Sequence, residues 1–473
     1  SLHPLAETDR QGSRVPPPRR RRLPAPRHRP SPRLPHRLHP PLLIPNPTTS
    51  PRQDSPSCRG VLMFPSFIDS YIRPFKRPLT CGLKISQLLH LACQKIFVNL
   101  HLIGYIIYPY KQYDMNNRKY TVIDLFAGCG GLSLGLYQAG WSGVFAVEKN
   151  KCAFETLKHN LIDKKHHFNW PEWLPQEPTD IIELLKNHKD ELKSLRGKID
   201  LVAGGPPCQG FSMAGKRMED DERNQLVFSY ISFIRLVRPK LLLFENVKGF
   251  TYSFDKAKNP DAIPYSKIVV EQLEGLGYDI TPYIINFAEF GVPQRRKRFI
   301  LVGVRKSKKI HSNEFMGKLK EQFPEFIAQH GLTKEPTLSD AISDLLRSNG
   351  TTQTPDRSGF QSGRYGKPST PYQIFLRMGI SETQDIPNSH SFARHTSEKT
   401  SCFEKLLAEK DTIVGRRIDG DERKKWGIHQ RGITVLDPDA VSPTITGAPD
   451  DYLHYSEPRI MTVRECARIQ SFP

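Results

Sequence analysis

From Thr121 onward the apolar residues fall into regular strand and helix patterns, whereas the first 60 or so residues show neither. Val122, Ile123 and Leu125 make a short, nearly unbroken apolar run, the pattern of a strand buried on both faces. Phe126-Ala127-Gly128-Cys129-Gly130-Gly131 then turns the chain into a helix carrying Leu132, Leu136 and Ala139, which stops at Gly140. Val144 to Val147 predicts a second strand, ending at Glu148, and a helix through Ala153, Leu157 and Asn160 follows. After a more polar insertion, Leu201 to Ala203 predicts the next strand. Gly204 and Gly205 free the backbone behind it, Pro206 and Pro207 stiffen it, and Cys208 is left on a sharply turned loop at a strand's carboxyl end. Leu226, Tyr230, Phe233, Ile234 and Val237 give Arg223 to Val237 a helical stripe, and Leu241 to Phe244 predicts a strand that runs into Glu245-Asn246-Val247. A helix from Tyr265 to Leu276, stopped by Gly277, and a strand from Phe299 to Val304 complete the series. Strands alternating with helices predict an α/β fold built on a doubly wound, mostly parallel sheet, whose ligands bind outside the carboxyl ends of the strands.

The remainder reads differently. Residues 306–457 are polar, rich in Gly, Ser and Thr, and weakly periodic, which predicts a smaller, loop-rich lobe. Residues 458–473 close the chain with an amphipathic helix. Residues 1 to about 60 are rich in Pro and Arg and have little to bury, so no fold is expected there. An apolar stretch from Ile85 to Tyr110 approaches membrane-spanning length, but Gln94, Lys95, Asn99 and His101 interrupt it, and a central lysine costs about 2.5 to 3.5 kcal/mol in a bilayer, so no membrane span is expected. Residues 1–114 are read as an extension and Met115 as the functional start.

Charge adds a partner class. The 473 residues carry a formal net charge of +20, which points to a polyanion, but residues 1–114 hold 18 Lys and Arg against 5 Asp and Glu, so most of the basicity lies outside the regular part. Gln294-Arg295-Arg296-Lys297-Arg298 matters more, because four cations adjoin a buried strand and can point into a site that holds phosphate or a base carbonyl. The glycine loop and Glu148 suit either a nucleoside, whose ribose diol an acid can bind, or a tight strand-to-helix connection. Cys208 suits either a nucleophile or a small buried hydrophobe. The eight cysteines show no CxxC pair for zinc or redox work, and no metal site is expected.

Taken together, Asp124-Leu-Phe-Ala-Gly-Cys-Gly-Gly131, Gly205-Pro-Pro-Cys-Gln-Gly-Phe-Ser212, Glu245-Asn-Val, Gln294-Arg-Arg-Lys-Arg298 and Thr462-Val-Arg-Glu-Cys-Ala-Arg468 resemble, in order, the motifs of the DNA cytosine-5 methyltransferases. The resemblance covers about residues 119 to 473. It implies the Rossmann-like sheet of S-adenosylmethionine-dependent methyltransferases, with 115–305 as the catalytic, cofactor-binding domain, 306–457 as the target-recognition domain and 458–473 as the start of a segment that returns to the first domain. It further implies that S-adenosylmethionine is held by Asp124, Phe126, Ala127, Gly128, Gly130, Gly131, Leu132, Glu148, Lys149, Asp180, Ile181, Pro206 and Leu226. Of these, Phe126 would face the adenine, Glu148 the ribose hydroxyls and Asp180 the adenine amine. Cys208, Glu245, Arg296 and Arg298 would carry the chemistry, and Gln209, Ser212, Arg295, Thr444 and Thr446 would meet DNA.

Such an enzyme needs these residue types because carbon 5 of cytosine is a poor nucleophile. A thiolate adding to carbon 6, with an acid at ring nitrogen 3, turns carbon 5 into an enamine-like centre. The resemblance makes double-stranded DNA the partner, with a cognate restriction endonuclease as a candidate second one, a monomer the expected state, and the cytoplasm or a nucleus the location according to the source cell. A transfer-RNA methyltransferase of the same fold is the enzymatic rival, disfavoured by Gln209-Gly-Phe-Ser212; a nucleic-acid-binding module without activity is the other. Family members continue past the position of Pro473 with a Gly-Asn-Ala-Val-like segment, and its absence here reads as a truncation.

Overall fold

The computed structural model describes residues 119–207, 224–252, 263–306, 310–355, 358–377, 380–381, 383–429, 431–446 and 451–473. The Pro/Arg-rich start, the apolar stretch at 85–110, Met115, Cys208, Gln209 and Ser212 lie outside them.

Six strands form the central sheet: β1 (Thr121–Leu125), β2 (Ser142–Val147), β3 (Leu201–Gly204), β4 (Leu241–Val247), β5 (Tyr278–Asn286) and β6 (Lys297–Arg305), in the order β2-β1-β3-β4-β6-β5. The first four run parallel; β6 is antiparallel to both β4 and β5. The chain therefore enters β1, β3 and β4 from one edge and delivers their carboxyl ends side by side at the other.

The strand period of two divides the apolar residues between two cores. Val122, Leu201, Ala203, Leu241 and Leu243 face one side, while Ile123, Leu125, Val202, Leu242 and Phe244 face the other. The helix from Asn224 to Val237 covers the second side with Val227, Tyr230, Phe233 and Ile234, all buried, as its apolar stripe requires. On the first side lie Leu136 of the helix Gly131–Gln138 and a helix the sequence pattern did not predict, Phe315–His330. Phe315, Leu319, Phe323 and Phe326 of that helix repeat at helical spacing and join the same core as Ile300 and Val302 of β6. Strand β5 was also not anticipated. It is an edge strand, and Pro282 within it is tolerated there because an edge leaves one row of N–H groups unpaired.

A further apolar cluster gathers Phe403, Leu406, Ile413, Ile418, Ile433, Val435, Leu453 and Ile460. It surrounds a small sheet of Arg417–Asp419, Gly432–Val435 and Tyr452–Leu453. The closing helix, Val463–Ile469, begins with a capping box in which Thr462 and Glu465 satisfy each other's backbone N–H groups. Glu465 is wholly buried and also takes two hydrogen bonds from Arg459, at 2.6 and 2.8 Å. No helix among the described residues is long and apolar enough to cross a membrane.

Candidate active site

Sheet register assembles the site. Leu125 pairs with Val147 on one side and Gly204 on the other, and Gly204 pairs with Phe244. The next residue of each strand is then Phe126, Glu148, Gly205 or Glu245, so four strands present their candidate side chains along one edge. Antiparallel β6 completes the row, since Val247 pairs with Arg298.

At the β1 end the loop is tightly determined. Phe126 has φ of 59°, a left-handed conformation rare outside glycine, and Gly128 (57°) and Gly130 (87°) share it. A Cβ on Gly130 would stand 2.6 Å from Leu161 Cδ1, whereas one on Gly128 would meet nothing within 4 Å. Gly130 is thus fixed by packing, and the space at Gly128 is open. Glu148 ties the loop to the next turn: Gly128 N–H donates to one carboxylate oxygen at 2.8 Å and Asn150 N–H to the other at 2.7 Å. Asn150 in turn caps the helix Lys151–Leu157. Asp180 caps the helix Ile181–Asn187 through Ile182 N–H and accepts from Lys149 Nζ at 2.7 Å. Burial works to raise the Asp180 carboxyl, but Lys149 and the helix-terminal amides outweigh it and hold it below its ordinary value.

Several expected contacts stand back from this surface. Asp124 is 1% exposed, and its carboxyl accepts from Ser133 Oγ at 2.5 Å, which ties β1 to the helix after the glycine loop. Burial pushes that carboxyl up to about 7. The period of two explains the placement, for Asp124 shares the face of Val122, under that helix. The Ile181 side chain is buried in the core with Phe145 and Leu184. Leu226 is half-buried at the first turn of its helix, packed on the same core. Ala127 and Pro206 are buried, and Gly131 and Leu132 begin the helix after the loop.

At the centre of the edge, Glu245 meets Arg298, whose Nε lies 3.0 Å from Oε1. A Cβ on Gly205 would come within 2.9 Å of the other carboxylate oxygen, so only glycine leaves this carboxylate its position. Asn246, which sequence reasoning named only within its motif, is buried, and its amide donates to Pro206 O at 3.4 Å, holding the chain just before Cys208. The Arg296 guanidinium is lowered to about 10, by burial first and by Arg298 second, with Glu245 acting in the opposite sense. Its Nε finds no partner among the described residues.

The run Gln294–Arg298 is laced to a second segment. Arg295 N–H donates to Ser442 O at 2.8 Å, Ser442 N–H to Pro293 O at 3.1 Å, and Thr444 Oγ1 to Arg295 O at 2.6 Å. Thr446 Oγ1 donates instead to Asp451, at 3.4 Å. Residues 442–444 are therefore tied to the segment that leads into β6 and Arg298. Cys208, Gln209 and Ser212 follow Pro207 in sequence, outside the described residues.

The six-stranded sheet, its first four strands parallel and apolar cores on both faces, is a doubly wound α/β architecture. A solved structure of a prophage-encoded protein assigned as a DNA modification methyltransferase (E. coli) has the same fold, with a TM-score of 0.50, 23% identity, and coverage of 75% of this chain and 89% of that one. The chain belongs to the C-5 cytosine-specific DNA methylase family, whose profile matches residues 120–473. Among its relatives, the type II methyltransferase M.XorII of Xanthomonas oryzae pv. oryzae is 33% identical over 369 residues, 74% of this chain and 76% of the relative. The type II methyltransferase M1.HphI of Haemophilus parahaemolyticus is 31% identical over 382 residues, 79% and 82% of the two chains. The chain is thus a DNA cytosine-5 methyltransferase.

Proposed function

We propose that the chain methylates carbon 5 of cytosine in double-stranded DNA through a covalent Cys208 adduct, with the target base turned out of the duplex. The observation that carries this reading is the Glu245–Arg298 pair, 3.0 Å apart and one strand position from Gly205, which leads through two prolines to Cys208. The acid and the cation thus stand at the carboxyl end of β4, beside the strand whose continuation in sequence carries the thiol.

S-adenosylmethionine fits the β1 and β2 ends of that edge: the space at Gly128 is open beside the Glu148 carboxylate, and Asp180 is tied to Lys149, the next residue. When bound there, it supplies an electrophilic methyl group on a positively charged sulfur. Glu148 takes the ribose hydroxyls, Phe126 the adenine face, and Asp124 acts only through Ser133.

Cys208 adds as the thiolate to carbon 6 of the cytosine, and the electron pair released from the 5,6 double bond flows toward ring nitrogen 3. Glu245 delivers a proton there, so no full negative charge builds on the ring. Arg298 keeps the Glu245 carboxyl oriented and, with Arg296, adds positive charge near the base carbonyl and the thiolate. As carbon 5 is methylated the ring nitrogen proton returns to the Glu245 carboxylate; water then takes the carbon 5 proton, and that electron pair restores the 5,6 double bond and expels the Cys208 thiolate. Turning the base out costs a few kcal/mol, which contacts to the DNA backbone must offset. Arg295 and Thr444 on the adjoining segments, and the small sheet beyond them, are our candidates for those contacts.

Methyl transfer from labelled S-adenosylmethionine to duplex DNA tests the reading. Glu148→Ala should raise the KM for S-adenosylmethionine roughly 10- to 100-fold, the loss of one to two hydrogen bonds to a charged group at about 1.5 kcal/mol each, with kcat at saturation changed far less. A fall in kcat with unchanged KM would remove Glu148 from the cofactor site.

A further inference from the structure

The opposite edge of the sheet, where β3, β4 and β5 begin and β6 ends, concentrates positive charge that the reacting edge does not use. Four segments are joined there by backbone hydrogen bonds: Gly197 N–H to Val237 O (2.8 Å), Lys240 N–H to Ile199 O (3.1 Å), Arg305 N–H to Lys240 O (2.8 Å) and Lys306 N–H to Gly277 O (3.1 Å). They bring together Arg196, Lys198, Arg235, Arg238, Lys240, Arg305 and Lys306 with Asp200, while Glu274 and Asp279 flank the Gly277–Tyr278 segment and Asp279 faces His311 at 3.7 Å, leaving seven cations against three carboxylates. Asp200 is committed to Lys240 at 2.5 Å and to Thr121 N–H at 2.9 Å. Arg196, Lys198, Arg235 and Lys306 are exposed, and no carboxylate among the described residues forms an ion pair with any of the four arginines.

Three of the guanidiniums are held by carbonyls, which fix their position without neutralising them. Arg196 Nη1 donates to Arg235 O at 2.8 Å and Leu236 O at 3.2 Å, Arg238 Nη1 to Leu276 O, and Arg305 Nη1 to Arg238 O at 3.3 Å. Arg238 also lies over the Tyr278 ring, 5.7 Å from its centroid. A guanidinium has five N–H donors, so most remain for an outside acceptor. Arginine forks held in place match phosphate better than lysines do. A membrane surface is the weaker fit, since none of the exposed large hydrophobic residues, which include Phe228, Ile263 and Ile284, belongs to these segments, and an interfacial site needs an apolar face.

We propose that this edge is a second, sequence-independent nucleic-acid contact, binding the phosphodiester backbone of a duplex segment other than the one at the reacting edge. Along β4, from Pro239 to Glu245, the two edges stand roughly 20 Å apart at about 3.3 Å per residue, with the sheet and its helices between them. The patch would hold the chain on long DNA while the carboxyl edge engages one site. The proposal rests on the carboxyl edge being the reacting one.

The test uses the full chain and the variant Arg196→Glu, Lys198→Glu, Arg235→Glu, whose side chains are exposed. Binding to a long duplex of A·T pairs alone, which offers no cytosine to the reacting edge, is measured by fluorescence anisotropy over a range of salt. Reversal should weaken binding at least about tenfold at low salt and make the slope of log K against log salt less negative by about 2 to 3, near 0.9 per phosphate released. The corresponding triple alanine variant should show a smaller change of the same sign. Trapping of a short duplex at Cys208 should be unaffected, and its failure in the unaltered chain would count against the methyl-transfer reading rather than the patch. An unchanged slope and affinity would overturn the proposal, as would a variant that loses binding to anionic vesicles while keeping its hold on DNA.

Discussion

Glu245→Gln should slow methyl transfer by about 10² to 10⁴ while leaving the binding of S-adenosylmethionine and DNA nearly unchanged. Glutamine keeps the shape, and its carbonyl can still accept from Arg298 Nε, now 3.0 Å from the carboxylate. What it lacks is a proton that can pass to ring nitrogen 3 and return. The thiolate would still reach carbon 6, but the charge pushed onto the ring would have no acid to receive it, and the barrier should rise by about 3 to 5 kcal/mol, the equivalent of that rate loss. Single-turnover kinetics with saturating cofactor and DNA isolates this step. A rise in KM for DNA with the rate at saturation unchanged would mean that Glu245 holds the base without protonating it. Gly205→Ala makes a useful companion, since the added Cβ would lie 2.9 Å from Glu245 Oε2 and displace the same carboxylate.

The second large effect concerns stability. Glu465→Ala should destabilise the fold by about 3 to 5 kcal/mol, because it removes the carboxylate partner of both Nη atoms of a buried cation and leaves Arg459 paired only with Glu457, at 2.6 Å. Arg459 is 1% exposed and its two Nη atoms both donate to Glu465. The alanine also breaks the capping box, freeing Thr462 N–H, which donates to Glu465 at 2.7 Å. Chemical denaturation with a folded-state check by circular dichroism reads the loss, and a change below about 1 kcal/mol would show that Arg459 finds other partners.

Acid should act on the same region. His390 and His454, buried around Glu465 and Thr462, are lowered to about 4 and about 3, and His167, buried elsewhere, to about 3, each chiefly by burial. Unfolding lets all three take protons near their ordinary value of 6.5 that the native state refuses. Their contribution is therefore complete above about pH 6.5 and falls away as the pH drops toward 4, with a limiting slope of about 4 kcal/mol per pH unit for three groups. Glu465, held below its ordinary carboxyl value by Arg459 despite burial, adds a further loss only under about pH 4.5, since its stabilisation is present above the unfolded value and fades as the carboxylate is protonated. Stability flat from pH 7 to 5 would contradict the burial of these rings.

The strands β1 to β4 were legible in the sequence because each is buried on both faces and so appears as an apolar run bounded by loop residues. The same reading found the glycine loop, since Gly128 and Gly130 take the positive φ that glycine tolerates. It missed β5, where Thr281-Pro282 breaks the run, and the helix Phe315–His330, whose four buried apolar positions are diluted by two lysines, two glutamates and Pro324. Site assembly was less legible than site residues. Nothing local says that Val247 pairs with Arg298, yet that register brings the arginine to Glu245. The commitment of Asp124 to Ser133, nine positions away, and the hold of Asn246 on Pro206 are likewise products of packing, invisible until the helix and the loop are laid on the sheet.

The central claim is most directly tested by covalent trapping. The chain is mixed with S-adenosylmethionine and duplex DNA of random sequence carrying 5-fluorocytosine, whose fluorine cannot leave as the carbon 5 proton does, and the products are resolved under denaturing conditions beside Cys208→Ala. The account predicts a denaturation-resistant protein–DNA adduct that disappears in the variant. An adduct that survives Cys208→Ala, or methyl transfer to cytosine by that variant at the unaltered rate, would contradict it.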